Sequence, residues 1–145
     1  MELTSRSVGA ITVLTAEGEL TVRTAAAFLR RACLLLAAAA PPLLAVDLGR
    51  TARVDSSGFA ALVALFRRVQ RRRGEVCLVG LDAEARLLLE LMQLHLLFEV
   101  CDDVPAAIEI LAARSAVGSP AAASAQGLLG RIRAGASPLS RRAAS

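Results

Sequence analysis

Between Pro41-Pro42 and Gly49 stands Leu43-Leu44-Ala45-Val46-Asp47-Leu48, a short run that is apolar at every position but Asp47. A strand with one wet face alternates apolar and polar residues, so a run apolar in both phases predicts a strand covered on both faces, in the middle of a sheet. Glu75-Val76-Cys77-Leu78-Val79-Gly80 reads as a second buried strand. Helices must then lie over such strands, and the intervening sequence supplies one. After a loop over 49–54, Phe59, Leu62, Val63, Phe66 and Val69 recur at i, i+3, i+4, i+7 and i+10, one face of a helix. Arg67, Arg68, Arg71 and Arg72 fall largely on the outer face, and Gly74 is predicted to stop the helix.

The remaining elements follow from turn and cap signals. Glu2 to Ser7 and Ala10 to Ala16 predict two short strands around a turn at Val8-Gly9. Gly18-Glu19-Leu20-Thr21 breaks that pattern, and Thr21 is the predicted N-cap of a helix over Val22 to Ala40, which Pro41-Pro42 ends. Asp82 is the predicted cap of a helix from Ala83 to about Leu94, with Leu87, Leu88, Leu91 and Met92 inward. Phe98-Glu99-Val100 reads as a short edge strand, and Asp102 or Asp103 begins a last helix through Ala113. The order β-β-α-β-α-β-α-β-α predicts an α/β fold with a mostly parallel sheet of about five strands, an initial antiparallel hairpin and about four helices.

Charge divides the chain at the end of that pattern. The net charge is +4, but residues 1–113 hold 12 Arg and 13 acidic residues, whereas residues 114–145 hold five Arg and no acid. From Arg114 onward Ala, Ser, Gly and Pro dominate without a sustained apolar period, so 1–113 is the predicted domain and 114–145 a flexible basic tail. Leu128, Leu129 and Ile132 beside Arg131 and Arg133 are its one amphipathic stretch. The tail has no aromatic residue to stack on bases, which argues against a dedicated nucleic-acid site.

Cys33, Cys77 and Cys101 are widely spaced in apolar stretches, without the Cys-x-x-Cys pairing of a metal site, and read as reduced core residues of a cytoplasmic protein. The opening Met1-Glu2-Leu3-Thr4-Ser5-Arg6 does not read as a secretory signal. The apolar run Ala32 to Val46, broken by Pro41-Pro42, is too short to span a bilayer, which needs about 20 residues. No cofactor is expected.

Asp55-Ser56-Ser57-Gly58 falls where a strand and loop hand over to the amphipathic helix. A helix start leaves backbone N–H groups unpaired and partly positive, so it accepts a capping hydroxyl or carboxylate and also stabilises a phosphate. Two readings stay open on these four residues: Asp55, Ser56 or Ser57 is simply an N-cap with Gly58 a turn residue, or an exposed serine there is a phosphate acceptor. A nucleophilic enzyme is disfavoured. His95, the one histidine, lies in Leu94-His95-Leu96, far from the serines in sequence, and neither Gly-x-Ser-x-Gly nor a phosphate-cradling Gly-rich loop is present. No catalytic residue is expected.

Taken in order, Val46-Asp47-Leu48, Val54-Asp55-Ser56-Ser57-Gly58-Phe59, the amphipathic helix, Gly74 and the Val/Leu strand resemble the STAS domain of bacterial anti-sigma factor antagonists. Gly18-Glu19-Leu20 resembles the Gly-Glu-Leu-Asp element of that family, and Leu91-Met92-Gln93-Leu94 through Leu97-Phe98-Glu99-Val100 its late helix-to-strand segment; together these cover about residues 3–112. The resemblance implies a non-enzymatic, cytoplasmic switch. Its partner would be an anti-sigma factor that is also a serine protein kinase, its phosphorylation site Ser56, and a phosphatase would restore the free hydroxyl. Unphosphorylated, it would capture the anti-sigma factor and release the sigma factor, and so regulate transcription. The partner-binding residues carried over are Asp55, Ser56, Ser57 and Gly58 with Glu19 and Thr21. Thr21 stands where the family usually has Asp. This is either a harmless exchange of one N-cap for another or a change in phosphorylation or partner choice. Two other roles stay open: a STAS subunit of an ABC-type lipid transport complex, and a subunit of a stress-signalling scaffold.

Overall fold

A computed structural model describes residues 1–36 and 41–116 of the chain. The elements run β1 Glu2–Val8, β2 Ile11–Leu20, α1 Ala25–Leu34, β3 Leu43–Asp47, β4 Thr51–Val54, α2 Ser56–Arg71, β5 Glu75–Val79, α3 Ala83–Leu91, a 3-10 turn Leu94–Leu96, β6 Glu99–Cys101 and α4 Val104–Ala116. The predicted α/β order holds, with four helices and one strand more than expected. The sheet runs β1-β2-β3-β5-β6, antiparallel only between β1 and β2, and β4 pairs with β2 off that path.

Both centre strands are buried throughout or nearly so, as their two-phase apolarity requires. Leu44 and Val46 of β3 join Leu14, Leu78, Phe28, Phe59, Leu62, Leu65 and Val69 in a core under α1, α2 and α3. Leu43 and Ala45 point the other way and meet Val13, Cys77, Val79, Ala107 and Leu111 under α4. Phe66 and Phe98 close the larger core with an edge-to-face contact at 5.3 Å, a favoured geometry for two rings.

Several local expectations are corrected. The hairpin turns at Gly9-Ala10, and β2 does not stop at Ala16 but continues through Gly18-Glu19-Leu20. It continues because the stretch 49–54, expected as a loop, contains β4, which pairs in parallel with Gly18–Leu20 across a register shift at Gly18/Glu19. The first helix begins at Ala25, three residues late. Thr24 holds the N-cap position and Thr21 does not, because the Thr21 carbonyl accepts the amides of Thr24 and Ala25 in a preceding turn. The expected continuation of that helix over 37–40 lies outside the described residues. At the end of α2 the left-handed residue is Arg73, not Gly74; Gly74 is needed because a Cβ there would collide with the Pro42 carbonyl oxygen.

α3 is rotated from its expected face. Ala85 and Leu89 are buried, Leu88 and Met92 half-buried, and Leu87 and Leu91 stand 57% and 73% exposed. His95 is exposed on the 3-10 turn. The last helix starts where Asp103, whose Oδ1 accepts the Ala106 amide, predicts it, and runs three residues past Ala113; the expectation for the rest of 114–145 lies outside the described residues. Cys77 and Cys101 are buried and Cys33 half-buried, all three unbridged.

Candidate functional site

β4 and the extended end of β2 together aim the start of α2. Thr51 Oγ1 donates to the Ala16 carbonyl at 2.9 Å and ties β4 to β2, and the Asp55 amide then donates to the Leu20 carbonyl at 3.2 Å. Asp55 is the N-cap of α2 and uses both carboxylate oxygens. Oδ1 accepts the Gly58 amide at 2.9 Å, satisfying an otherwise orphaned helix donor, and Oδ2 accepts the Val22 amide at 3.1 Å across 33 residues of sequence. One carboxylate therefore caps the helix and holds the β2–α1 connection against it.

Gly58 makes this close approach sterically allowed. It is buried, and a Cβ there would overlap the Leu20 carbonyl oxygen and press on the Leu20 and Val54 side chains. Phe59, fully buried, anchors the first turn in the core. With the cap taken by Asp55, the two serines are left over. Ser56 is exposed at the first helical position and Ser57 half-buried at the second, and neither hydroxyl makes a hydrogen bond among the described residues.

Beside the cap lies an open depression of about 300 Å³, lined by Glu19, Thr21, Val22, Arg23, Arg53 and Asp55. Of the residues singled out from sequence, Glu19, Thr21 and Asp55 meet there, Ser56 and Ser57 stand on the adjoining first turn of α2, and Gly58 is buried on that turn against Leu20 and Val54. Thr21 is 9% exposed, and its amide donates to Thr24 Oγ1 at 2.9 Å. Arg23, Arg53 and the 72% exposed Val22 were not singled out. Arg53 sits on β4, a strand the sequence pattern conceals, and the pattern places Arg23 and Val22 in a helix that starts only at Ala25.

Among the described residues no group of His, Cys, Asp and Glu is placed to hold a metal ion, and His95 lies on the turn after α3, not on any element that builds the site. Burial pushes the Cys77 thiol up to about 12, with Cys101 beside it adding to the effect, and burial raises Cys101 as well. Both thiols belong to the core under α4, on the other side of the sheet from α2, and stay protonated there. Among the described residues no helix is long and apolar enough to cross a membrane.

The chain is thus an α/β domain with an exposed serine on a carboxylate-capped helix, beside an open mixed-charge depression. The model of the STAS domain matches residues 2–107, and the chain belongs to that family. No curated protein sequence matches it. Among solved structures it is similar to a candidate anti-sigma factor antagonist of Thermotoga maritima, at 17% identity and a TM-score of 0.70, over 75% of this chain and 93% of that one. It is also similar to the anti-sigma factor antagonist SpoIIAA in its unphosphorylated form, at 16% identity and a TM-score of 0.64, over 77% of this chain and 97% of that one. The murine anion transporter Slc26a9 carries the same fold in part of its length: 15% identity, a TM-score of 0.62, 74% of this chain and 18% of the transporter. At these identities the likeness is one of fold.

Proposed function

We propose that the chain is an anti-sigma factor antagonist, whose partner is an anti-sigma factor with serine kinase activity and whose binding is switched off by phosphorylation at Ser56. The observation that carries this reading is the division of labour at the start of α2: Asp55 caps the helix, which leaves the exposed Ser56 hydroxyl without a structural task. A phosphate added there brings about −1.5 to −2 charges to the rim of the depression, and any partner surface seated on Glu19, Arg23, Arg53 and Ser56 must desolvate or repel it. The phosphoryl donor and its metal belong to the partner, so this chain is substrate and ligand, not enzyme. In this reading a phosphatase resets the switch and the domain works in the cytoplasm.

Intact mass after incubation with ATP and an anti-sigma kinase of this type tests it. Wild type gains one phosphoryl group and Ser56→Ala none; a Ser56→Ala protein that is still modified at full extent moves the acceptor elsewhere and overturns the reading. A second reading, a STAS subunit of a transport complex that needs no phosphoryl switch, is favoured by one observation. Thr21 is buried and uncharged where the antagonists usually carry Asp, so the rim lacks one of their carboxylates.

A further inference from the structure

The far end of α2 carries a feature that the Ser56 site does not use. Neither α1 nor α2 contains an acidic residue, and together they carry Arg30, Arg31, Arg67, Arg68 and Arg71, followed by Arg72 and Arg73. Both helices cross over between parallel strands, β2 to β3 and β3-β4 to β5, so both run against the strands and finish at the same edge of the sheet. Arg68 Nη1 donates to Cys33 Sγ at 3.1 Å, which brings the last turn of α2 against the last turn of α1.

Arg30, Arg67, Arg71 and Arg73 are exposed, and none is in an ion pair or side-chain hydrogen bond among the described residues. On the last turn of α1, beside the Cys33 that Arg68 meets, Leu34, one helical turn beyond Arg30, is 84% exposed, the most exposed large apolar residue described, and Leu35 just after it is 37% exposed. Arginines at a helix C-terminus complement the helix dipole, but that effect is confined to the last turn and does not ask for a projecting leucine.

We propose that this edge is a docking surface for an anionic lipid bilayer, with the arginines on the headgroups and Leu34 inserted below them. Charge complementarity selects an anionic partner, because each basic residue near such a surface adds to the attraction. The leucine selects the kind. A side chain this exposed is a knob, and an acyl layer accepts a knob without a matched socket, whereas a nucleic acid gains nothing from it and would favour aromatic rings that are missing here. Ser56 lies about 22 Å away along α2, at the opposite end, so a docked domain keeps its recognition site facing the solution.

Flotation of the full chain with phosphatidylcholine vesicles, with and without phosphatidylglycerol, tests this independently of Ser56. Binding to the anionic vesicles alone is expected. Arg30→Glu/Arg67→Glu/Arg71→Glu, three exposed positions, should lower the partition coefficient about 100-fold while the five tail arginines remain. Leu34→Ser, which leaves the charge unchanged, should lower it about 5-fold or more, an effect that no purely ionic contact reproduces. Circular dichroism checks that each variant is folded. Equal binding to neutral vesicles, full binding by the triple variant, or tighter binding to duplex DNA that ignores Leu34→Ser overturns the proposal.

Discussion

At its first turn α2 is fixed by bonds of defined length, Asp55 to Gly58 and to Val22, over a buried glycine and a fully buried phenylalanine. Its last turn carries Arg68 and Arg71, just after Arg67, with no acidic residue anywhere on the helix, and is followed by Arg72 and a left-handed Arg73. The first end is specified by geometry, where a displacement of one atom has a consequence. The second is specified by charge, and charge tolerates movement. The proposed switch needs the former, since a serine that is to be modified has to meet its partner in one orientation, and the proposed contact with a diffuse anionic surface needs only the latter.

Substitutions should therefore affect stability steeply at the first end and hardly at all at the second. Phe59→Ala empties a fully buried site and is expected to cost about 4 kcal/mol in chemical denaturation. Gly58→Ala forces a methyl against the Leu20 carbonyl and should cost about 3 kcal/mol, although alanine is otherwise the better helix former. Asp55→Ala removes the cap and the bond to Val22 and should cost about 2 kcal/mol. Asp55→Asn keeps one acceptor oxygen for the cap and should lose only about half of that. Arg67→Ala should change stability by less than about 0.5 kcal/mol. If Arg67→Ala costs as much as Asp55→Ala, the contrast between the ends is wrong.

The same contrast marks what the sequence makes legible. The apolar face of α2 was readable because Phe59, Leu62, Phe66 and Val69 repeat at helical spacing, and all four are buried. β3 and β5 were readable because a strand covered on both faces must be apolar in both phases. β4 was not: Thr51, Ala52, Arg53 and Val54 have no buried member, and the strand exists only through pairing with residues more than 30 positions earlier. The phase of α3 was not, because a run as leucine-rich as Leu87-Leu88-Leu89 favours several faces equally, and the small Ala85 decides the one that meets the core.

At the site, the motif Asp55-Ser56-Ser57-Gly58 was visible but its internal assignment was not, since three of its residues are good caps. Deciding among them takes the tertiary bond from the Val22 amide, which draws Asp55 into the cap. Arg53 was hidden for the reason β4 was hidden. Thr21 has the residue type of a helix cap, yet the chain makes a turn first and gives that position to Thr24.

In the proposed switch, Ser56 acts by charge at a surface whose shape is set by Asp55. Titration calorimetry of the full chain against an anti-sigma factor, for wild type, Ser56→Ala and Ser56→Asp, measures this directly. Ser56→Ala should bind within about 3-fold of wild type and Ser56→Asp at least about 30-fold more weakly, since an unmatched charge in a contact costs several kcal/mol, with thermal stability unchanged in both. Wild-type affinity in Ser56→Asp would contradict it.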